Sequence, residues 1–523
     1  MAIALSKENM LVKATVAEAT FQTLVEGDII VPDVKPDIGE VLQVDGVILI
    51  HKQEPLHDRV SIGGSVQFTI LYVPENQAGV VKSIRTSFNF NHIADVQGVR
   101  PTMHMKLLSD VEHVDFSLIH SRKLNVKAVV SLKTNISEQK NLEFITDIDE
   151  PNIESFKQTI KVFRVLGDAS EQISLKEDLE VPSGKPSINE ILKSNAEISG
   201  KDAKVMQNKV FIKGDLYINT LYTGELNEDG LQVMEHIMPF TEVFAIEGVQ
   251  EGANVQVDCQ VQDIFFEPKE DADGDVRVMT MSAIIQASVS VGVEVTCKTI
   301  ADCYHTVDEL SVKHEQIALE QIIEDVKAQI QSKEVIALED GQPNMIQGCN
   351  LTAKPYIADI SIANGKLTAD GILEVSFLYL TDSAQQPIYN IKQEIPFQYV
   401  LDLQSKEGDL SGDIKAEVSH VSFAINNQRE VEVRAIIALD SKVIKPSTTE
   451  VISDIDVLSG VKCILPSPSI IIYYVQKGDN LWKIARKYKT TEQDILTIND
   501  TVNFDKLTVG LQLFIPRRSR KCG

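Results

Sequence analysis

The sequence predicts a mainly β protein, in which three tandem antiparallel β-sandwich or barrel-like domains precede a small βααβ module. Three observations support this fold class. Segments that alternate strictly between apolar and polar residues recur along the chain, and such segments indicate half-buried β-strands. The same landmarks return three times at constant spacing, which indicates an internal repeat. Residues 470–517 follow a different pattern, with two short helices between two strands.

Length and composition limit the class of protein. A chain of 523 residues is too long for one hydrophobic core, so several domains are expected. The hydrophobic fraction of 43% and the charged fraction of 24% are typical of globular proteins. A formal net charge of −26 argues against nucleic acid as a partner, because phosphates would repel the chain. Residues 518–523 form a basic tail, which is either a solvated end or a contact for an acidic partner.

The N-terminus lacks the basic and apolar regions of a signal peptide, and no stretch of roughly 18 apolar residues predicts a transmembrane segment. The six cysteines are sparse and irregularly spaced, unlike those of a disulfide scaffold. These features together predict a cytoplasmic protein with reduced thiols.

The repeat is marked by a glycine that is followed, after six residues, by Leu-Tyr. This motif lies in the middle of an alternating strand, where a glycine indicates a bulge or a close backbone approach. Flanking landmarks keep their register with the tyrosine: a proline 36 residues before it and a phenylalanine 18 residues after it. The three sets are Pro36, Gly64, Leu71, Tyr72 and Phe90; Pro186, Gly214, Leu221, Tyr222 and Phe240; Pro343, Gly371, Leu378, Tyr379 and Phe397.

Because the period exceeds 100 residues, each copy is predicted to be a complete domain. The predicted ranges are 1–145, 155–300 and 310–445. In the second copy the acidic insert Lys269–Asp275 displaces the last strand. Residues 31–42 are predicted to form a turn that leads into one helical turn. Residues 315–330 have apolar side chains at helical spacing, which predicts a helix at the start of the third domain.

Pro446, Pro466 and Pro468 predict a linker over residues 446–469, ahead of the C-terminal module. In that module, a helix follows Asp479 or Asn480, either of which is suited to cap it. The apolar face of this helix consists of Leu481, Ile484, Ala485 and Tyr488. A second helix is predicted to begin with a capping box formed by Thr491 and Asp494. Its apolar residues are Ile495, Leu496 and Ile498.

This module resembles the LysM family. The matching residues are Tyr474–Tyr488, Asn499, Leu507, Gly510 and Leu513–Pro516. The resemblance implies that N-acetylglucosamine chains bind in a shallow groove between the loop after the first strand and the loop after the second helix. Carried over by position, the groove consists of Gly478, Asp479, Asn480, Leu481, Asp500, Thr501, Val502 and Asn503. The sequence departs from the family at Asn480, where Thr or Ser is usual, and at Ile498, where Ala is common.

The alternative is that Gly478 and Asp479 serve only as turn and cap residues. We expect Trp482, the single tryptophan, to pack in the core of the module rather than to stack on a sugar.

The whole chain resembles the clostridial SipL-like family of spore coat morphogenetic proteins. The resemblance rests on the segment Val31–Ile38, the repeated Gly-x6-Leu-Tyr strands and the terminal LysM module. It implies a protein of the mother-cell cytoplasm at the forespore surface, where the coat morphogenetic ATPase is its partner.

No phosphate-binding loop, nucleophile elbow or zincin motif occurs, and no cofactor or metal is expected. The spacing of Cys297, Cys303 and His305 fits no common zinc site, so buried reduced thiols are the favoured interpretation. The acidic run 270–275 lacks the distal glutamate of a calcium loop, so a solvated hairpin tip is favoured.

Three hypotheses follow: a scaffold that binds a protein partner, a peptidoglycan-binding protein, and a wall hydrolase. The last requires a catalytic domain, so we expect the chain not to be an enzyme.

Overall fold

The computed structural model describes residues 3–225, 230–403, 410–458, 469–500, 502–504 and 507–516. Each copy of the repeat has six strands. In the first copy they are β1 Leu5–Ile30, β2 Ile38–Leu56, β3 Arg59–Pro74, β4 Lys82–Asp95, β5 His104–His120 and β6 Lys123–Ile148. In the second they are β7 Ile153–Glu180, β8 Ile188–Met206, β9 Lys209–Gly224, β10 Leu231–Ala245, β11 Asn254–Glu270 and β12 Val276–His305. In the third they are β13 Glu309–Ala337, β14 Met345–Ala363, β15 Lys366–Thr381, β16 Ile388–Asp402, β17 Ser411–Asn427 and β18 Glu430–Leu458.

Every copy is a sandwich of two three-stranded antiparallel sheets, which confirms the predicted fold class. In the first copy one sheet has the order β2-β3-β4 and the other has the order β1-β6-β5. The inner faces of the two sheets share one core, because Val66, Phe68 and Ile70 on β3 pack with Leu124 and Val126 on β6. The apolar residues of each alternating segment therefore form the inward face of its strand.

The tyrosine of the motif is buried, and its hydroxyl donates a hydrogen bond to the carbonyl oxygen of the proline 36 residues earlier. The distances are 3.0 Å for Tyr72 and Pro36, 3.1 Å for Tyr222 and Pro186, and 2.9 Å for Tyr379 and Pro343. This bond satisfies a buried hydroxyl and holds the turn before the second strand against the core. The constant spacing of proline and tyrosine thus has a direct structural cause.

The glycine of the motif lies opposite the landmark phenylalanine on the neighbouring strand. Gly64 pairs with Phe90, and Gly214 with Phe240, at the equivalent point in the sheet. A Cβ atom on Gly214 would lie 2.7 Å from the ring of Phe240, closer than carbon atoms approach. The glycine is needed because the aromatic ring covers its position.

An arginine in or directly after the turn before the last strand has the same role in every copy, and the sequence pattern did not predict it. In each copy its guanidinium group donates a hydrogen bond to the backbone carbonyl group of the residue five positions before the landmark proline. The donor and acceptor pairs are Arg122 and Val31 in the first copy, Arg277 and Val181 in the second, and Arg429 and Leu338 in the third.

The leucine of the motif faces away from its own core, yet it is buried. Leu71, Leu221 and Leu378 meet in one apolar cluster that the three copies share. Leu42 and Leu192 join it, and Cys349 occupies the equivalent place in the third copy. The three domains therefore surround a common apolar centre.

The contacts between copies run in cyclic order. The second strand of each copy contacts the fifth strand of another, in the pairs β2 with β11, β8 with β17, and β14 with β5. Lys201 pairs with Glu417 and Lys354 pairs with Asp110 across two of these junctions. The three domains thus form one closed body rather than a string of separate units.

The first and last strands of each copy extend beyond the sandwich as a two-stranded arm. The arms comprise residues 5–12 with 140–148, residues 153–162 with 295–305, and residues 309–319 with 447–458. Side chains of all three arms pack together, among them Phe144, Cys297 and Val451. A single bridge, Val12 to Arg164, joins the sheets of the first two copies into six strands.

The helix predicted for residues 315–330 is wrong, because this segment lies inside strand β13. Ile317 and Ile330 both pack inward, although strict alternation would place them on opposite faces. A β-bulge at Ile323 adds one residue and reverses the phase of the alternation between them. Because the bulge interrupts the alternation, the apolar residues of this strand have the spacing expected of a helix.

The linker predicted for residues 446–469 is wrong in its first half, because β18 continues to Leu458. Pro446 is tolerated there because, among the described residues, this part of β18 pairs with β13 alone. The helical turn predicted within residues 31–42 is also wrong, since a turn leads directly into β2. Residues 459–468 and the predicted tail 518–523 lie outside the described residues.

Candidate ligand-binding site of the C-terminal module

The C-terminal module is a βααβ unit, as predicted. It consists of β19 Ile470–Tyr474, α1 Leu481–Tyr488, α2 Glu492–Ile498 and β20 Gln512–Pro516. The two strands pair antiparallel. Ile484, Ala485, Ile495, Leu513 and Ile515 form the buried core between the helices and the strands.

Both helices begin at the predicted caps. The Oδ1 atom of Asn480 accepts a hydrogen bond of 2.8 Å from the backbone N–H of Lys483 at the start of α1. The hydroxyl oxygen of Thr491 accepts one of 3.0 Å from the N–H of Asp494 at the start of α2. These bonds satisfy amide groups that have no partner within the first helical turn.

Asp479 is bound within its own loop. One of its carboxylate oxygens accepts hydrogen bonds from the hydroxyl group of Tyr473 at 2.6 Å and from the backbone N–H of Gln476 at 2.8 Å. The bond from Tyr473 is the main reason why the pKa of Asp479 is lowered, and it raises the pKa of Tyr473 to about 12. Asp479 therefore stays ionised and holds the turn, and the positive φ of 87° at Gly478 completes that turn.

The loop after α2 is tied to the core by Asn499. The side-chain amide of this buried residue donates to the carbonyl oxygens of Ile495 and Phe514 and accepts from the N–H of Phe514. Val502 packs on the same core as Leu481, so the two predicted sides of the groove rest on one apolar cluster. Asp500 and Asn503 are exposed, and Thr501 lies outside the described residues.

The predicted site residues therefore have different roles. Leu481 and Val502 are half-buried floor residues, and Asp479 and Asn480 are engaged in the turn and the cap. Gly478, Asp500 and Asn503 are exposed at the ends of the two loops. Short polar groups and backbone amides on a shallow surface are suited to hydrogen-bond an amide-bearing sugar or an extended peptide.

Trp482 is buried in the core cluster of the module, as predicted, and it also contacts the second copy. Its ring packs against Tyr304 and Phe156 of the second copy, with centroid distances of 5.0 and 5.5 Å. Its indole N–H donates a hydrogen bond of 2.8 Å to a carboxylate oxygen of Asp302, and Arg486 donates to the same oxygen at 2.7 Å. One face of α1 is therefore covered by the repeat body, a contact for which the sequence pattern holds no signal.

The other candidate sites do not assemble. Cys297 and Cys303 are buried, and Nδ1 of His305 accepts hydrogen bonds from the backbone N–H groups of Val307 and Asp308. The acidic run forms the exposed tip of the hairpin between β11 and β12, as predicted. Across the described ranges, no group of three or more His, Cys, Asp or Glu side chains is placed to hold a metal ion.

Comparison with known families agrees with the two kinds of domain. The SipL (SPOCS) domain model matches residues 37–119, 187–269 and 344–426, and the LysM domain model matches residues 473–516. Each SPOCS match covers the second to fifth strands of one copy and leaves out its long first and last strands. No curated protein and no solved structure matches the chain.

Within the part of the chain that the structure describes, no helix is long and apolar enough to span a membrane. The two domain types together indicate a sporulation-related scaffold that carries a module of the glycan-binding kind. Three SPOCS domains in a closed arrangement, followed by one LysM domain, account for the sandwiches, the arms and the βααβ module. The chain belongs to the SipL-like family.

Proposed function

We propose that this chain is a non-enzymatic scaffold of spore envelope assembly, which acts in the mother-cell cytoplasm at the forespore surface. In this proposal its LysM module binds the coat morphogenetic ATPase. The observation that carries it is the closed packing of three like domains around one apolar cluster. Such packing commits most of the chain to a stable body and leaves the loops of the LysM module exposed for a partner.

The charge distribution supports a protein partner. The predicted groove ends in Asp500 on one side, while Lys477 and Lys483 lie exposed beside the opposite loop. Charged groups at the rim of an interface determine partner choice and association rate. We therefore infer that the rim of this groove contributes to recognition of the ATPase.

Glycan binding is the second candidate function. The exposed positions of Gly478 and Asn503 favour it, because these loops are left open by the docking of α1 on the second SPOCS domain. A scaffold with this activity would attach to N-acetylglucosamine-containing chains of the cortex or cell wall.

One experiment separates the two candidates. The affinity of the full chain for the purified coat ATPase and for chitin oligomers is measured for wild type and for Asp500→Lys. Reversal of a rim charge is expected to weaken ATPase binding about tenfold, a change of about 1.4 kcal/mol. Gln493→Lys is the control, since it introduces a lysine at an exposed position of α2 away from the predicted groove; it changes the net charge by one unit, against two for Asp500→Lys.

The proposal fails if Asp500→Lys binds the ATPase as wild type does. In that case, loss of binding to chitin oligomers by the same variant would support the glycan candidate. Release of soluble fragments from purified peptidoglycan by the full chain would contradict a non-enzymatic role.

A further inference from the structure

The LysM module rests on the end of the second arm. Asp302 receives hydrogen bonds from both Trp482 and Arg486, and the hydroxyl group of Tyr304 donates one of 2.6 Å to the backbone oxygen of Thr490. The Nζ atom of Lys489 adds a bond of 3.0 Å to the backbone oxygen of Asp308. Tyr304 is 7% exposed and Trp482 is 8% exposed, so the centre of this contact is dry.

The three arms have equivalent aspartates at this position. Each follows directly after a β-bulge near the end of the last strand of its copy: Asp147 in β6, Asp302 in β12 and Asp454 in β18. Asp147 forms an ion pair with Lys157, and Asp454 forms one with Lys313. Of the three, Asp302 is the one with hydrogen bonds from the described part of the LysM module. The carboxylate is therefore a general feature of the arm, and its partner distinguishes the second copy.

The aromatic residues beside Asp302 are specific to the second copy. Asp302 lies opposite Phe156 across the arm, whereas Asp147 lies opposite Ser6 and Asp454 lies opposite Lys313. Two residues after these aspartates stand Tyr304 in the second copy, Asp149 in the first and Asp456 in the third. The other two arms thus lack the two rings that enclose the indole ring of Trp482.

We propose that the end of the second arm is a docking site for the LysM module, formed by Phe156, Asp302 and Tyr304. Its occupant is the α1 face of the same chain, with Trp482 as the anchor. Aromatic rings that enclose a buried indole ring at the centre of a contact are a feature of an energetic hot spot. The ion pair of Arg486 with Asp302 lies at the edge of the contact, because the arginine side chain is 55% exposed. Docking holds the module in one orientation, so that the loops before α1 and after α2 face away from the second SPOCS domain.

Docking is a property of the free chain and does not depend on the proposed function. Only the idea that the docked orientation serves partner binding rests on that function. In this arrangement Asp302 is a positioning residue. It receives bonds from α1, and none from the described residues of the two loops that form the predicted groove.

The single tryptophan gives a direct readout of docking. Changing Phe156→Ser and Tyr304→Asp together gives the second arm the residues of the first. The expected result is a red shift of Trp482 emission and increased quenching by acrylamide, with an unchanged strand signal in circular dichroism. Lys313→Ala is the matched control, because it removes the ion pair of the equivalent aspartate in the third arm.

A second pair of variants tests the carboxylate. Asp302→Ala is expected to shift the emission to the red, whereas Asp302→Asn retains an acceptor oxygen and is expected to restore most of the wild-type emission. If the wild-type chain already shows the emission and quenching of a solvated tryptophan, or if neither Asp302→Ala nor the double variant changes them, the proposal is wrong.

These measurements need no partner. A change of Trp482 emission in the docking variants supports docking. Weaker ATPase binding by Asp500→Lys supports the proposed function, and the two results are independent of each other. Failure of docking appears in the emission of the free chain, and failure of the proposed function appears only in the affinity for the ATPase.

Discussion

The hydroxyl oxygen of Tyr379 lies 2.9 Å from the carbonyl oxygen of Pro343, to which it donates a hydrogen bond. The same bond occurs in the other two SPOCS domains. Because it joins the middle strand of one sheet to the turn between the first two strands, it connects the two sheets of each sandwich.

We expect Tyr379→Phe to destabilise the third domain by about 1 kcal/mol, since it removes one buried hydrogen bond and leaves the ring in place. Urea unfolding followed by circular dichroism measures this loss. Tyr474→Phe, at a tyrosine that is 54% exposed, should leave the transition unchanged. Equal effects of the two substitutions would contradict the structural role of the bond.

The adjacent glycines Gly63 and Gly64 differ in the space around them. A Cβ atom on Gly64 would lie 2.5 Å from the carbonyl oxygen of Leu49 and 3.0 Å from the ring of Phe90. On Gly63 the nearest atom would be 3.4 Å away. We expect Gly64→Ala to cost about 2 kcal/mol through crowding, and Gly63→Ala to cost much less. Thermal unfolding of the two variants in parallel tests this, and a larger effect of Gly63→Ala would refute it.

The shared apolar cluster predicts that the domains depend on one another. Leu71→Asp places a charge among Leu221 and Leu378 with no ionic partner in the cluster, and we expect a loss of about 3 kcal/mol. Small-angle scattering should show an expanded chain. Leu24→Asp, at a leucine that is 57% exposed, is the control. An unexpanded variant with wild-type stability would show that the cluster does not hold the domains together.

The turn before α1 predicts a pH-dependent stability of the LysM module. The folded-state pKa of Asp479 is lowered, so its ionised form contributes stability that is fully present above about pH 4 and is lost as the pH falls through the folded-state pKa. We expect Asp479→Asn to reduce stability at pH 7 by about 1 kcal/mol and to reduce the acid sensitivity.

Urea unfolding monitored by Trp482 emission at pH 7 and pH 3 measures both effects of Asp479→Asn. Asp500→Asn is the control, because Asp500 is exposed. If Asp479→Asn keeps the stability of wild type and loses only ligand binding, Asp479 is a ligand residue rather than a turn residue.

Four thiols are expected to be unreactive in the folded protein. Burial raises the pKa of Cys259, Cys297 and Cys303 to about 11 and that of Cys349 to about 12, so few thiolates exist at neutral pH. In a Cys463→Ser, Cys522→Ser variant, iodoacetamide should label nothing until denaturant is added. Rapid labelling of the folded variant would contradict the buried positions of these thiols.

Much of the fold could be predicted from single strands and helices. Alternation identified the motif strands, and the capping residues Asn480 and Thr491 located both helices of the LysM module. Prediction failed at residues 315–330, where the bulge at Ile323 interrupts the alternation. A pattern of period two is informative only while every residue of a strand is paired one to one.

The candidate site was predicted in part. The loop positions followed from the resemblance to LysM, but the internal bonds of Asp479 and the docking of Trp482 did not. Asp302 is one of three equivalent aspartates on the arms. Phe156 and Tyr304 distinguish its arm from the other two, but no local pattern connects these residues with Trp482, which is distant in the chain.

The sequence by itself determined the three copies, the inward face of their strands and the LysM module, because these depend on residues that are close together in the chain. Only the tertiary structure decided what the outward faces contact. Tyr72 is buried in its own sandwich, whereas the adjacent Leu71 is buried by two other domains. Local pattern separates the two faces of a strand, but the contacts of the outer face depend on how distant segments pack against it.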